Sequence, residues 1–341
     1  MAKSIIKKYK LITIFSILAI LEVSLIFFIL PFFSSPVIGY SNGSVVVRTT
    51  LNVGTVAPEV LLVALTNTST SYTNINLSLN PATGKTVYCN GVVRDYNNDT
   101  DISSVAARIF QNTTSEWASD DNNTHYTNST CFIDYNATNS GAWGDDNTGN
   151  YTANFSCSFN MQYYANPTFW TCSVYAYNSY NWNGTNSTVG GVNELLAVTL
   201  PSTINYGTVN STAVSDENIT NVSNAGNVQI NLTLQGYAFY PGDGQSMNCS
   251  KGNVKNISIM YEKYNLTTSN PGVLALSDIE AIYTNLTNSS VTKRFNLNYR
   301  QADNWDDATN ATYWRIYVPR GVAGTCSGNI VFGAIKSAGS A

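Results

Sequence analysis

Trp170-Thr-Cys-Ser-Val-Tyr-Ala-Tyr177 decides the fold class. Side chains of an extended chain alternate between two faces, so Cys172, Val174 and Ala176 share a core-facing side while Tyr175 and Tyr177 look the other way. The same period of two recurs in Ile75-Asn-Leu-Ser-Leu79 and Ile230-Asn-Leu-Thr-Leu234. It dominates from Val45 onward, and almost no helical periodicity follows the N-terminal segment. Clusters of Asn, Asp and Gly separate the runs, from Tyr96 to Asp101, Asp120 to Thr124, Gly141 to Asn150, Asn181 to Thr188 and Pro241 to Gln245. Short strands joined by polar turns predict an all-β protein built from sandwiches.

Composition explains how such strands stay soluble with little charge. Of 341 residues, 43% are hydrophobic and only 11% charged, so an uncharged polar surface is needed, and 44 Asn with 72 Ser plus Thr supply it. The net charge of -4 falls to about -7 once the four N-terminal Lys and Glu22 are set aside, which disfavours a phosphate backbone as partner. A single His leaves little material for routine acid-base catalysis.

Lys3, Lys7, Lys8 and Lys10 precede an apolar run from Leu11 to Phe33. As a helix the run would reach roughly 34 Å, enough to cross a bilayer. The basic flank is expected in the cytoplasm and everything after Pro36 outside. The run exceeds a secretory core of roughly 7 to 15 residues, which favours an uncleaved anchor over a signal peptide cut between Ser35 and Ser41. The rival would leave a secreted protein. Glu22 interrupts the run at roughly 2.5 to 3.5 kcal/mol on insertion scales, a cost that over twenty apolar neighbours outweigh.

The exported portion carries 22 Asn-x-Ser/Thr triplets, among them Asn42, Asn67, Asn98, Asn112, Asn128, Asn183, Asn210, Asn265, Asn285 and Asn310. Chance placement would give about nine, so the excess reads as selection for glycosylation. Six cysteines without a C-x-x-C pair read as disulfides in such a chain.

Sliding the chain against itself narrows the pairing. Asn52-Val-Gly-Thr-Val56 matches Asn205-Tyr-Gly-Thr-Val209, Ile75 to Leu79 matches Ile230 to Leu234, Cys89 matches Cys249, and Thr171-Cys-Ser173 matches Thr325-Cys-Ser327. The matches keep their order at offsets of 153, 155, 160 and 154 residues. A duplication predicts equivalent bridges Cys89 to Cys172 and Cys249 to Cys326, each crossing a sandwich, and leaves Cys131 to Cys157. The expected organisation is a basic flank and anchor over 1–36, one sandwich over 37–200 and a second over 201–341.

Val87-Tyr-Cys-Asn-Gly91 and Trp170 to Tyr177 together resemble the early and penultimate core strands of immunoglobulin-like sandwiches. Trp170 replaces the Tyr of the antibody type, and the expected third strand, Ser104 to Phe110, has no Trp. The whole ectodomain also resembles uncharacterised, Asn-rich, secreted archaeal proteins. The resemblance rests on Tyr88-Cys-Asn-Gly91, Asn123-Thr-His-Tyr-Thr-Asn-Ser-Thr-Cys131 and Tyr163-Tyr-Ala-Asn-Pro167. It implies a cell-surface location and no activity, and the duplication together with the sandwich resemblance gives the expected fold, two tandem immunoglobulin-like β-sandwich domains after an N-terminal transmembrane helix.

Candidate chemistry is sparse. His125, in the polar stretch after Asp120, reads as a solvated loop residue with no relay around it. Asp95, Asn97, Asp99 and Asp101 place oxygen at alternate positions, as a calcium loop does, but lack the turn Gly and distal Glu of an EF-hand. Acidic pairs at Asp120 and Asp121, Asp145 and Asp146, and Asp306 and Asp307 read as solvated surface rather than a glycosidase dyad. Tyr163, Tyr164, Phe169, Trp170, Tyr175, Tyr177, Tyr180 and Trp182 concentrate aromatic surface that could meet sugars or a neighbouring subunit. The expected function is a non-catalytic, membrane-tethered surface glycoprotein serving as a structural or contact module. No cofactor is required beyond the calcium option, and the partners are the membrane, surface glycans or neighbouring surface proteins. An adhesin or carbohydrate-binding module, and a filament subunit whose apolar N-terminal strands complete a neighbour's sheet, are the alternatives.

Overall fold

The computed structural model describes residues 47–135, 151–303 and 308–338. Unit Met1–Gly54 is described only over 47–54, which carry no strand; the other compact unit is Thr55–Ala341. The run from Leu11 to Phe33 lies outside the described residues, as do Asn42, Asp145, Asp146, Asp306 and Asp307. Among the described residues no helix is long and apolar enough to cross a membrane.

The described residues of the larger unit are all-β apart from one short helix and two single-turn 3-10 segments. Its first nine strands are β1 (Glu59–Thr66), β2 (Asn76–Leu77), β3 (Lys85–Arg94), β4 (Ile102–Gln111), β5 (His125–Asn128), β6 (Phe132–Asp134), β7 (Thr152–Met161), β8 (Phe169–Asn178) and β9 (Asn183–Val192). They form a four-stranded sheet, β1-β3-β7-β6, and a five-stranded sheet, β2-β9-β8-β4-β5. The inward residues of both sheets make one core, in which Val87, Cys89 and Phe155 meet Ile109, Trp170, Cys172 and Val174. Trp170 is fully buried, and its indole N–H donates to the Asn166 carbonyl at 2.8 Å. The polar stretch from Asn181 to Thr188, expected as a turn, belongs mostly to β9. That strand pairs with β8 from Asn183 opposite Tyr177 to Gly191 opposite Phe169, and the ladder outweighs its weak propensity.

The later strands are β10 (Val198–Thr199), β11 (Asn218–Asn224), β12 (Ile230–Tyr237), β13 (Gln245–Gly252), β14 (Asn256–Ser258), β15 (Glu262–Asn265), β16 (Thr284–Asn285), β17 (Val291–Leu297), β18 (Thr309–Ile316), β19 (Val322–Ser327) and β20 (Asn329–Lys336). Helix α1 (Leu276–Ile282) precedes β16. Here a five-stranded sheet, β10-β11-β18-β15-β16, packs against two three-stranded sheets, β17-β12-β20 and β14-β13-β19, over three small cores. The chain steps from one small sheet to the other at Gly328, where a Cβ would lie 1.7 Å from the Ser246 carbonyl oxygen. Only glycine permits that approach.

Disulfides link Cys89–Cys172, Cys131–Cys157 and Cys249–Cys326, the pairs the repeat predicts. Their placement differs from the expectation in one respect. Cys89 and Cys172 do join facing sheets, but Cys249 and Cys326 stand opposite each other on neighbouring strands of one sheet. The aligned cysteines therefore do different mechanical work, because β8 and β19 have different neighbours.

No strand pairing joins β1–β9 to β10–β20. Loop backbone and side chains make the junction: the Ala82 amide donates to the Ala225 carbonyl at 3.1 Å. Asn227, fully buried, donates to the carbonyls of Ala165 at 3.0 Å and Asn193 at 3.1 Å, and accepts from the Leu195 amide at 2.7 Å. Tyr299 donates to Asn166 at 2.9 Å, and Lys336 meets Glu194 at 2.5 Å. Asn227→Ala removes one buried and two part-buried hydrogen bonds, so unfolding free energy is expected to fall by roughly 1 to 3 kcal/mol in denaturant titration, against under about 1 for the exposed Lys336→Ala.

Glu262, 1% exposed on β15, breaks the apolar logic of the later half. Burial pushes its carboxyl up to about 7, against a smaller lowering effect of the hydrogen bond from Tyr206. An unfolded carboxyl titrates near 4.5, so this group's stabilisation is complete below that pH and is lost as pH rises through about 7. The expected loss between pH 4.5 and 8 is roughly 3 kcal/mol, and Glu262→Gln is expected to flatten that part of the melting profile. An unchanged profile in the variant contradicts the assignment.

Candidate functional site

The outer face of the five-stranded sheet β2-β9-β8-β4-β5 carries exposed apolar side chains among hydroxyls. Register sets its rows: Phe110 lies beside Thr171 and Val189, Arg108 beside Ser173 and Ser187, and Ala106 beside Tyr175 and Thr185. Inward residues of β8 are buried to the limit, which forces its odd-numbered side chains outward. Phe169 is 65% exposed and Val189 50%.

The segment after β4 folds back over part of this face. Trp117, 66% exposed, lies with its ring 3.9 Å from the Arg108 guanidinium carbon, and the Tyr175 ring is 5.4 Å from the same atom. The Tyr175 hydroxyl donates to the Glu116 carboxylate. Burial, followed by that hydrogen bond and the Glu116 charge, pushes the Tyr175 hydroxyl up to about 12. A cation between two rings is favourable because the ring faces are electronegative. Arg108, Glu116, Trp117 and Tyr175 thus form a stack presenting an indole to solvent.

His125 lies beneath this segment and is not a solvated loop residue. It opens β5 opposite Phe110, with a fully buried side chain. Nδ1 is 2.7 Å from the Asp120 carboxylate and Nε2 is 2.8 Å from the Glu116 carbonyl oxygen. Asp121 makes this possible by accepting from the amides of Asn123, Thr124 and His125, which closes the turn and aims the ring inward. Asp120 also accepts from the Thr127 amide and hydroxyl. The two carboxylates are turn-forming acceptors rather than freely solvated groups. With both ring nitrogens engaged and no exposed surface, His125 holds the Glu116 carbonyl in place.

The four alternating oxygen residues do not converge. Asp95 is buried and accepts from the Asn97 amide at 2.8 Å, while Asn97 accepts from the Val56 amide at 3.0 Å. Asp99 sits in the 3-10 turn Asp99–Asp101, capped by Asn98, and Asp101 accepts from the Ser179 hydroxyl. Burial, then the Asp101 charge, raises the Asp95 carboxyl against the lowering effect of the Asn97 and Asn98 amides. Among the described residues no group of three or more Asp, Glu, His or Cys side chains is placed to hold a metal ion.

The aromatic cluster divides. Tyr163, Tyr164 and Trp170 are buried, Tyr175 and Tyr177 are half-buried on the outer face, and Phe169, Tyr180 and Trp182 are exposed. Arg108, Glu116 and Trp117 were not foreseen. Their one sequence signal is an Arg at an outward position of β4, followed nine residues later by a lone Trp.

No family model and no curated protein matches the chain. Three solved structures show slight likeness. One is from work on a chaperone-tip adhesin complex of CFA/I fimbriae, at 10% identity, 84% of this chain, 85% of that chain and a TM-score of 0.29. Another is the C-terminal domain of the AgI/II polypeptide BspA of Streptococcus agalactiae, at 11%, 81%, 100% and 0.20. The third is the secreted serine protease VesC of Vibrio cholerae, at 8%, 79%, 51% and 0.16. Scores this low carry no argument about fold or function, and the chain spans about half the length of the third.

His125→Ala removes a buried ring and the Glu116 carbonyl's partner, while Asp120 keeps its bonds from Thr127, so it is expected to lower unfolding free energy by roughly 2 to 4 kcal/mol. Trp117→Ala is expected to remain under about 1 kcal/mol. Denaturant titration of both variants checks the order, and the reverse order contradicts a supporting role for His125.

Proposed function

We propose that the chain is a non-catalytic cell-surface glycoprotein, tethered through the run from Leu11 to Phe33, that works as a contact module through the outer face of β5-β4-β8-β9. The carrying observation is that exposed face, where Trp117 and Phe169 stand among Thr171, Ser173, Thr185 and Ser187. Flat aromatic surface interleaved with hydroxyls desolvates readily and offers hydrogen bonds without charge. Three disulfides indicate an oxidising environment, in keeping with an extracellular location.

Glycosylation fits the same reading. Asn67, Asn98, Asn112, Asn183, Asn210, Asn285 and Asn310 are exposed, while Asn128 and Asn265 are half-buried. Asn128 already donates its amide to the Ser158 carbonyl at 2.8 Å, which makes it a poor acceptor of glycan. Asn112 and Asn183 lie beside the two ends of β8, so glycans there would frame the aromatic face and leave its centre open.

A carbohydrate is the ligand class this face favours, because sugar rings stack on indole and phenyl groups while their hydroxyls pair with Ser and Thr. The test is retention of the chain on immobilised polysaccharide from the producing cells. Combined Trp117→Ala and Phe169→Ala is expected to reduce retention more than tenfold with an unchanged melting temperature. Retention unaffected by the double variant overturns the assignment of this face.

A further inference from the structure

Residues 200–209, which carry no strand, line two cavities in the later half, of about 460 and 420 Å³. Tyr206 and Ile204 belong to the walls of both. The larger cavity has an exposed rim that includes Ser202, Thr203 and Asn329, and buried Thr220 and Glu262 at its floor. Leu200, Ile204, Met247, Ile330 and Phe332 give it apolar walls.

We propose that this cavity binds a small organic cation, a primary ammonium on a short apolar stem, with Glu262 as its counter-ion. Glu262 is the only charged residue among the described residues that line the cavity. The side-chain donor it meets is the neutral hydroxyl of Tyr206, at 2.8 Å. No cation of its own sheet reaches it. Lys263, the next residue of β15, faces the opposite side and donates to Asn285. Arg315, opposite Lys263 in β18, donates to the Tyr283 hydroxyl and to the carbonyls of Ser215, Asn270 and Gly272. Opposite Glu262 itself stands Ile316.

A buried carboxylate without a positive partner is among the least favourable groups a protein interior can hold, unless it is protonated or a ligand supplies the charge. An ammonium group donates three hydrogen bonds, which suits a carboxylate that already accepts one from Tyr206. The apolar walls accept an alkyl stem. An anionic ligand would face like charge, and a neutral one would leave the carboxylate uncompensated. The site is separate from the aromatic face, so either reading can fail alone.

The test is thermal melting of the full chain with n-butylammonium chloride, against equal concentrations of n-butanol and sodium chloride. At pH 8 the ammonium salt alone is expected to raise the melting temperature in a saturable way, and at pH 5, where Glu262 is protonated, the shift is expected to fall at least fivefold. Glu262→Gln is expected to abolish it at both pH values. On the wild-type chain, the Met247 methyl resonance is expected to move on titration while that of Met161, buried in the first core, stays fixed; this readout serves if the variant fails to fold. A missing shift, an equal shift in the variant, a pH-independent shift or an unmoved Met247 signal each overturns the proposal.

Discussion

At the centre of the first core, Cys89 and Cys157 stand opposite each other in the β3-β7 ladder, and each carries a disulfide in a different direction. Cys89 is tied to Cys172 in the facing sheet, and Cys157 to Cys131 at the entrance to β6. The Cys131 amide donates to the Val105 carbonyl in β4, so the second link also reaches toward the other sheet. The bond between sheets closes a span of 83 residues, worth about 4.5 kcal/mol in the chain-entropy model. With Cys172 held from within, β8 cannot roll, and Thr171, Ser173 and Tyr175 must face outward. The Arg108-Trp117-Tyr175 stack depends on that constraint.

Five carboxylates meet hydroxyl donors rather than cations. Tyr164 donates to Asp303, Tyr175 to Glu116, Tyr206 to Glu262 and Tyr283 to Glu217, while Ser179 donates to Asp101. Hydroxyl donors avoid burying a second charge, and they keep a partner when the carboxyl is protonated. A surface made polar by Asn, Ser and Thr follows the same economy. Glu262 differs because its hydroxyl partner leaves the rest of the carboxylate facing a cavity.

Much of the local structure was legible because strands announce their faces. The alternation in 170–177 and 230–234 places Cys172, Val174, Ile230 and Leu232 in cores, where burial is complete. The polar stretch before His125 misled because Asp and Asn serve equally as solvated loop and as turn caps, and only the position of Asp121 beneath three amides separates the two. The calcium-like spacing from Asp95 to Asp101 could not show in advance that a 3-10 turn inside it sends neighbouring oxygens to Val56, Thr100 and Ser179.

By itself the sequence determined the all-β class, the core faces of the main strands and, through an imperfect internal repeat, which cysteines pair. These are properties of periodicity and local order along the chain. Only the tertiary structure decided that one bridge crosses between sheets while its counterpart stays within one, that one layer of the later half divides at Gly328, and that Trp117 covers Arg108. Each depends on which strands lie side by side and on where a loop folds back, and those choices are settled by long-range packing that no nearby residue encodes.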